Sequence, residues 1–466
     1  MKLNSTYRRL WSLAVGVLLT LPYLGSQAQE KRTLSLKEAI SLSIQNSKEL
    51  KLSQTKIDAA LSSVKEAKNA QLPEASVSGS YMRINEPNIY GPLLGGSSSG
   101  SGGSSFPKIN SLAYAMANVS IPVFSGFMIQ SQKESAKYLA EAARLDAVKD
   151  REAVIQNTVN AYSNLYKAQQ AVALVKENLR QQEQRVTDFT NLEKNGLVAR
   201  NDLLKVQLQQ SNVDVSLLEA ESNLKIANIT MDLLLGIPES TELEAVADTY
   251  DQGVAANGKG VAEWEQVAMT NRTDAAALQA REKAANAGVK AAKGNYYPSV
   301  AITGGYVALD VPKAFGVTNA VNAGVGVKYN VASLWKNNAK VDDAKIQLAQ
   351  VRVNEEMLQD NIHISINRAY QDYLVNQKKI EMYQKAIDQA EENYKIVKNK
   401  QENNLATTTD LLEADVANIQ AKLNYAFAKA DAMVAYSKLL ETAGVLNEAG
   451  TEGTTTSGTT TTTTGK

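Results

Sequence analysis

Cysteine is absent from all 466 residues, which excludes disulfides, thiol chemistry and a lipidated N-terminal cysteine. Histidine occurs once, at His363. A lone histidine without cysteine makes neither a metal site nor a nucleophile–base pair. The chain is therefore read as no enzyme, without cofactor or metal, and His363 as a helix-packing residue. No stretch beyond residue 28 has 18 consecutive apolar residues, so no membrane-spanning helix is expected. Neither charge sign dominates: 49 basic groups face 49 acidic ones, which gives no argument for a nucleic-acid partner. Aromatics are scarce at 6%, and from Gly126 to Asn191 there is no proline and no second glycine.

The first 28 residues read as an export signal. Lys2, Arg8 and Arg9 precede a mostly apolar Leu10–Leu24, and Ser26-Gln27-Ala28 supplies small residues for cleavage. Removing them leaves 46 basic against 49 acidic groups. The rest is written twice. A shift of 225 lays Pro73 on Pro298, Gly79 on Gly304 and Tyr81 on Tyr306. A shift of 208 lays Tyr162 on Tyr370, Asp202 on Asp410 and Gly236 on Gly444. A repeat this long implies two equivalent units: residues 29–238 and 261–445, joined by a connector at 239–260. Residues 446–466 form a Thr/Gly-rich tail, read as disordered.

Each unit holds two segments of about eleven residues with period-two alternation, at about 75–85, 113–123, 300–310 and 321–331. Ala75, Val77, Gly79 and Tyr81 share one face, as do Ala117, Val119, Ile121 and Val123. Val300, Ile302, Gly304 and Tyr306 do the same, as do Val321, Val325, Val327 and Tyr329. A sheet with one wet face would give this pattern. The matched lengths, the export signal and flanking Phe124, Tyr296, Tyr297 and Trp335 favour membrane strands. Four strands cannot close a barrel and open edges are not tolerated in lipid, so spanning requires several chains. The Gly/Ser-rich segment 86–111 reads as an exposed hairpin loop.

The remainder is helical. The run 126–191 would be about 100 Å long as one helix. Leu165, Val172, Leu179 and Val186 recur every seven residues, with Val175 and Phe189 each three residues after a member, and the return helix 200–235 keeps heptad phases of its own. An opening helix starts at the capping box Ser35/Glu38 and runs to about Ala70. The second copy places its helices at about 260–294, 333–399 and 408–443. A solid bundle or fibrous rod is the alternative architecture.

The order helix–strand–hairpin–strand–helix, doubled behind a signal, resembles the TolC-like outer-membrane efflux family over about residues 33–445. The segments that carry the likeness are LSLKEAISLSIQNSKEL (34–50), QLPEASVSGSY (71–81), YYPSVAITGGY (296–306), VSIPVFSG (119–126), NGLVARNDLLKVQ (195–207) and NLATTTDLLEA (404–414). The resemblance implies a mainly α chain with a transmembrane β part. It implies a homotrimer whose 12-stranded β-barrel continues into an α-helical coiled-coil tunnel. It also implies an outer-membrane exit channel of a tripartite efflux system, fed by a periplasmic adaptor and an RND-type or ABC-type inner-membrane transporter. An exit duct for type I protein secretion, or a non-channel periplasmic coiled-coil structural protein, are the alternatives.

By that resemblance the helix tips Gly196-Leu197 and Asn404-Leu405 meet the adaptor. Asp410 and Glu413, i and i+3 on one face, match an acidic gate ring. Converging copies would repel one another, raise their pKa and attract cations. Asp202 is the first-copy counterpart of Asp410, but Lys205 stands where Glu413 would fall. Gln401 and Ala406 occupy positions where the family often carries a Tyr and an Arg. The loop-like spacing from Gly253 to Lys259 lacks the Ser/Thr of a phosphate-binding loop, since Gly260 follows the lysine.

Overall fold

The computed structural model describes residues 31–85, 109–246, 258–312, 315–403 and 405–447. The expected signal, most of the hairpin loop, part of the connector, Asn404 and most of the tail lie outside the described residues. The chain is mostly helical. In order it runs β1 (Lys31–Leu34), α1 (Leu36–Asn46), α2 (Lys48–Asn69), β2 (Glu74–Arg83), β3 (Ser111–Ser125), α3 (Met128–Lys194) and α4 (Arg200–Leu235). Then follow β4 (Glu242–Ala245), α5 (Val261–Asn271), α6 (Thr273–Gly294), β5 (Ser299–Val311), β6 (Phe315–Lys328), α7 (Ser333–Glu402) and α8 (Thr408–Thr442). None of the described helices is long and apolar enough to cross a membrane.

Where the sequence suggested one opening helix per copy, the structure has two. The first breaks at Ser47 (φ −55, ψ 123) and the second at Arg272 (φ −65, ψ 118). The 225-residue shift relates the two breaks, and each separates an 11-residue helix from a 22-residue one. Neither residue is proline or glycine, so the periodic pattern carried no stop signal there.

The fold divides into two compact units, each assembled from three separate stretches of chain. Unit 1 comprises residues 1–46, 158–254 and 376–434, and unit 2 comprises 47–157, 255–375 and 435–466.

Unit 1 carries the parallel pair β1–β4, with Lys31 opposite Glu242 and Leu34 opposite Ala245. Two strands leave open edges, and side chains of α3 and α4 satisfy that of β4. Tyr162 Oη is buried; it donates to Leu34 O (2.9 Å) and accepts from Val246 N–H (3.0 Å). Gln169 donates to Leu243 O (2.7 Å) and accepts from Ala245 N–H (3.0 Å). From α4, Asn228 bonds Thr241 O and Leu243 N–H in the same way. Helix α4 ends at Gly236, φ 69, where an added Cβ would stand 2.9 Å from Asn46 Cβ. Glycine is required there on both counts. Asn46 Nδ2 in turn donates to Leu235 O, capping the helix.

Unit 2 carries an antiparallel four-stranded sheet in the order β2-β3-β5-β6, so β2 and β6 are its edges. The register sets Val77 beside Ala117, Ala117 beside Tyr306, and Tyr306 beside Val321. Ala75, Val119, Gly304 and Ala323 form the next such row, and Ile121, Ile302 and Val325 another. Directly paired residues share a face, so the four alternating sets coincide. The opposite face carries rows such as Ser76–Asn118–Gly305–Asn322 and Ser120–Thr303–Gly324. Little covers the apolar face: Val77 is 85% exposed, Val321 76% and Val325 69%.

Two boundaries differ from the alternation pattern. Strand β6 begins at Phe315 and ends at Lys328, earlier than the expected 321–331. A bulge falls between Pro122 and Phe124, where the ladder steps from Ala301 to Val300. Val123 is the extra residue, so Phe124 rather than Val123 continues the apolar face.

The helical part of unit 2 is built on small residues. Ala277, Ala280, Ala284, Ala287 and Ala291 of α6 are buried at alternating spacings of three and four, followed by buried Gly294. They let helix axes approach closely. Ala142 and Leu145 of α3 pack on this seam. At its end a Cβ on Gly126 (φ 63) would lie 2.2 Å from Gly294 O.

His363 is not a packing residue. Its side chain is 65% exposed and sits 3.0 Å from Glu265. The 208-residue shift lays it on Ile155, which is buried, whereas His363 itself is exposed.

Candidate functional site

The candidate residues lie in the two turns of unit 1 that join α3 to α4 and α7 to α8. At the first, Gly196 has φ 73; its N–H donates to Glu193 O, and Leu197 N–H donates to Leu192 O (2.9 Å each). These are the paired bonds of a Schellman stop. At the second turn Leu405 N–H donates to Lys400 O over the same five-residue interval (2.7 Å). The leucine after each stop points into solvent: Leu197 is 67% exposed and Leu405 77%.

Beyond the second turn, Thr407 and Asp410 form a reciprocal cap on α8. Thr407 N–H and Oγ1 both donate to Asp410 Oδ2 (2.8 Å), and Asp410 N–H donates back to Thr407 Oγ1 (3.2 Å). The Thr407 N–H bond first, and the hydroxyl bond second, hold Asp410 below the usual carboxylate range. Within one protomer the shift is thus opposite to the rise expected of converging like charges. Glu413, one turn on, is exposed and has no ion-pair partner among the described residues.

The first copy is different. Asp202 is half-buried with Lys205 Nζ 3.4 Å away, and the same ammonium reaches Thr409 Oγ1 at 3.4 Å. Lys205 therefore pairs with the first-copy acid and bridges the opening turns of α4 and α8. Helix α4 has no side-chain N-cap, since Ala199 stands there. Below it, Phe189, Leu203 and Val206 form a small core with Val186 and Val198.

The sequence reading missed a polar cluster inside this unit. Asp415 Oδ2 accepts from Gln182 Nε2 (2.5 Å) and Arg185 Nη1 (2.9 Å), while Arg185 Nη2 donates to Tyr394 Oη (3.0 Å). The side chains of Arg185 and Asp415 are 9% and 2% exposed. Three helices are thereby tied at a buried ion pair, a contact that costs most when one partner is removed. Along residues 178–189 of α3 the buried positions are Asn178, Gln182, Arg185 and Phe189, with Leu179 and Val186 only half-buried. A search for apolar heptads passes over such a seam. The available signal was a break in the repeat: Asp415 matches Gln207 in the first copy, and Arg185 matches Asn393.

Of the phosphate-loop decoy, Gly258 and Lys259 are described, and Lys259 Nζ lies over the Trp264 ring at 4.7 Å.

The sequence pattern of one family, described as outer membrane efflux protein, matches residues 39–237 and 264–445, one match in each copy of the repeat. The chain belongs to the outer membrane efflux protein family, and its place is the outer membrane. Among curated proteins it is similar to outer membrane efflux protein BepC of Brucella suis biovar 1 (strain 1330). The two are 23% identical over 310 residues, spanning 64% of this chain and 66% of that relative. Among solved structures it superposes on the outer membrane protein VceC of Vibrio cholerae with a TM-score of 0.71 at 16% identity, covering 88% of this chain and 96% of that one. The Campylobacter jejuni CmeC outer membrane channel gives 0.72 at 17% identity, covering 90% and 86%. These likenesses establish a shared fold.

Proposed function

We propose that the chain is the outer-membrane exit channel of a tripartite efflux system, a passive conduit for small molecules without chemistry of its own. One observation carries this reading. The four-stranded sheet presents an exposed apolar face and two free edges, a combination stable neither in water nor, alone, in lipid. Because neighbouring strands are antiparallel, β2 and β6 run in opposite directions. The β6 edge of one copy can therefore pair antiparallel with β2 of the next, and three copies close twelve strands head to tail.

The helices support the same assembly. Besides its buried seam, α4 has a second apolar stripe, exposed in the single chain: Leu204, Leu208, Val215, Leu218, Ile226 and Leu233. Helix α7 has another, including Ile346, Val353, Met357 and Met382. Two unpartnered stripes per chain are what a closed ring of copies buries. Each chain then contributes two copies of one structural unit, residues 29–238 and 261–445.

Leu197 and Leu405 are the expected adaptor contacts, with Gly196 setting the first turn; Asn404, the expected counterpart of Gly196, lies outside the described residues. Asp410 and Glu413 are the expected gate acids, with Asp202 silenced by Lys205. Because Asp410 also caps α8, Glu413→Gln alone is the cleaner gate variant. It should weaken block by multivalent cations in planar bilayers, and unchanged block removes the gate assignment. Leu197→Lys with Leu405→Lys should impair export at unchanged membrane abundance; normal export removes the docking assignment. For the assembly itself, purified protein should require detergent and migrate as a trimer. A monomer stable in buffer sinks the channel reading.

A further inference from the structure

Where the sheet of unit 2 meets its helices there is a cavity of about 410 Å³, lined by Lys293, Tyr296, Tyr297, Asn338, Val341, Asp342 and Lys345. Its frame is fixed by hydrogen bonds between the end of α6 and the start of α7. Asn337 Nδ2 donates to Ala292 O (2.9 Å), and Tyr296 Oη donates to Asn338 Oδ1 (2.5 Å). That second bond occupies the amide oxygen of Asn338 and leaves its two N–H groups to donate elsewhere. Lys345 is held by Asp342 (3.0 Å). Lys293 is exposed and has no ion-pair partner among the described residues. The cavity thus offers an unspent ammonium and an unspent amide donor over a floor made by buried Val341. Its lining carries one net positive charge.

The other side of the cavity is apolar. Tyr297, 56% exposed, meets Phe127 edge-on at 6.5 Å, and Phe127 meets Phe124 edge-on at 5.3 Å. Phe124 lies opposite Val300 on the apolar sheet face. An aromatic path therefore leads from the charged cavity onto the surface we read as lipid-facing. Phe127 has φ 64, a conformation a bulky residue rarely adopts, and its ring makes the middle link of that path.

We propose that this cavity binds the headgroup of an anionic phospholipid. The phosphate sits between Lys293 and Asn338, and the acyl chains lie along Tyr297, Phe127 and Phe124. Tyrosine and lysine at the edge of an apolar belt suit the membrane–water boundary, where the ring spans both media and the ammonium meets phosphate. A zwitterionic headgroup places a second cation beside Lys293 and is disfavoured. The site rests on the reading that the sheet faces lipid, but it goes beyond it: a barrel needs no headgroup site.

The test is lipid retention by the detergent-purified full-length assembly, read by native mass spectrometry after incubation with phosphatidylglycerol or phosphatidylcholine. Wild type should retain phosphatidylglycerol preferentially. Lys293→Gln should reduce retention about fivefold, and Asn338→Leu should reduce it as well. Lys290→Gln, one turn away on the same helix and outside the cavity, should leave it unchanged. Equal loss from Lys290→Gln and Lys293→Gln would show diffuse surface charge and overturn the site. Equal retention of the two lipids would also overturn it, as would full displacement of lipid by excess inorganic phosphate, which would mark a free-anion site. Intact detergent-dependent trimers with no lipid preference would sink the site while leaving the channel reading standing. Loss of trimers in wild type would sink the channel reading.

Discussion

The two helix breaks, at Ser47 and Arg272, occupy equivalent places in the two copies and share nearly the same backbone angles, yet their side chains do different work. Ser47 is a plain N-cap, its hydroxyl accepting from Leu50 N–H at 3.1 Å. Arg272 makes no cap. Its guanidinium grips both oxygens of Asp274 (3.0 and 2.6 Å) and donates to Thr442 O at the end of α8 (3.2 Å). Gly444 packs against the Arg272 backbone, where an added Cβ would come within 3.0 Å. Repetition fixed the bend; divergence made one bend a cap and the other an anchor.

The anchor joins a charged cluster to which both copies contribute. Lys149 Nζ also reaches Asp274 (3.0 Å), and Glu152, Lys438 and Glu441 line the same cavity. Burial pushes Asp274 up, but bonds from Arg272 and then Lys149 outweigh it and hold the carboxyl at about 2. Glu152 has no such donor among the described residues. Burial first, then the charges of Glu441 and Asp274, push it up to about 7, against the smaller opposing pull of Arg272 and Lys149.

The comparison can be broken most severely at the anchor. Arg272→Ala should cost about 3 kcal/mol, since it strands Asp274 and frees the end of α8; the helical melt followed by circular dichroism reads the loss. A smaller effect is expected from pH. Glu152 is more acidic unfolded, near 4.5, than folded, near 7. Its contribution is full below about 4.5 and is lost as pH rises to about 7. Wild type should melt higher at pH 5 than at pH 8, by an amount equivalent to about 1–2 kcal/mol after allowance for its partial exposure. Glu152→Gln should flatten that difference; an unchanged slope would assign it to another group. Smallest is Ser47→Ala, a lost cap of about 1 kcal/mol. If it equals Arg272→Ala, the two bends are energetically alike and the contrast fails.

Much of the fold was legible because two periods dominate the chain. The alternation around Val77, Val119, Ile302 and Val325 put all four apolar sets on one sheet face, as the register has them. What stayed hidden was local and polar. The anchor at Arg272 finds its partner 170 residues away at Thr442. The bulge at Val123 shifts parity without any turn residue beyond Pro122. Gln182, Arg185 and Asp415 occupy a core that a hydrophobic pattern assigns to leucine and valine. At the candidate gate the sequence located the acids but not the cap that Thr407 makes with Asp410, a bond that depends on where the helix starts.

The bare borders of the sheet carry a kinetic consequence. A newly exported chain cannot enter hydrocarbon while one ladder of its hydrogen-bonding groups lacks a mate. Insertion must then wait for encounters between copies, so its rate should climb steeply with the supply of unassembled chains. A truncated copy that offers one border and withholds the other would poison the intact ones.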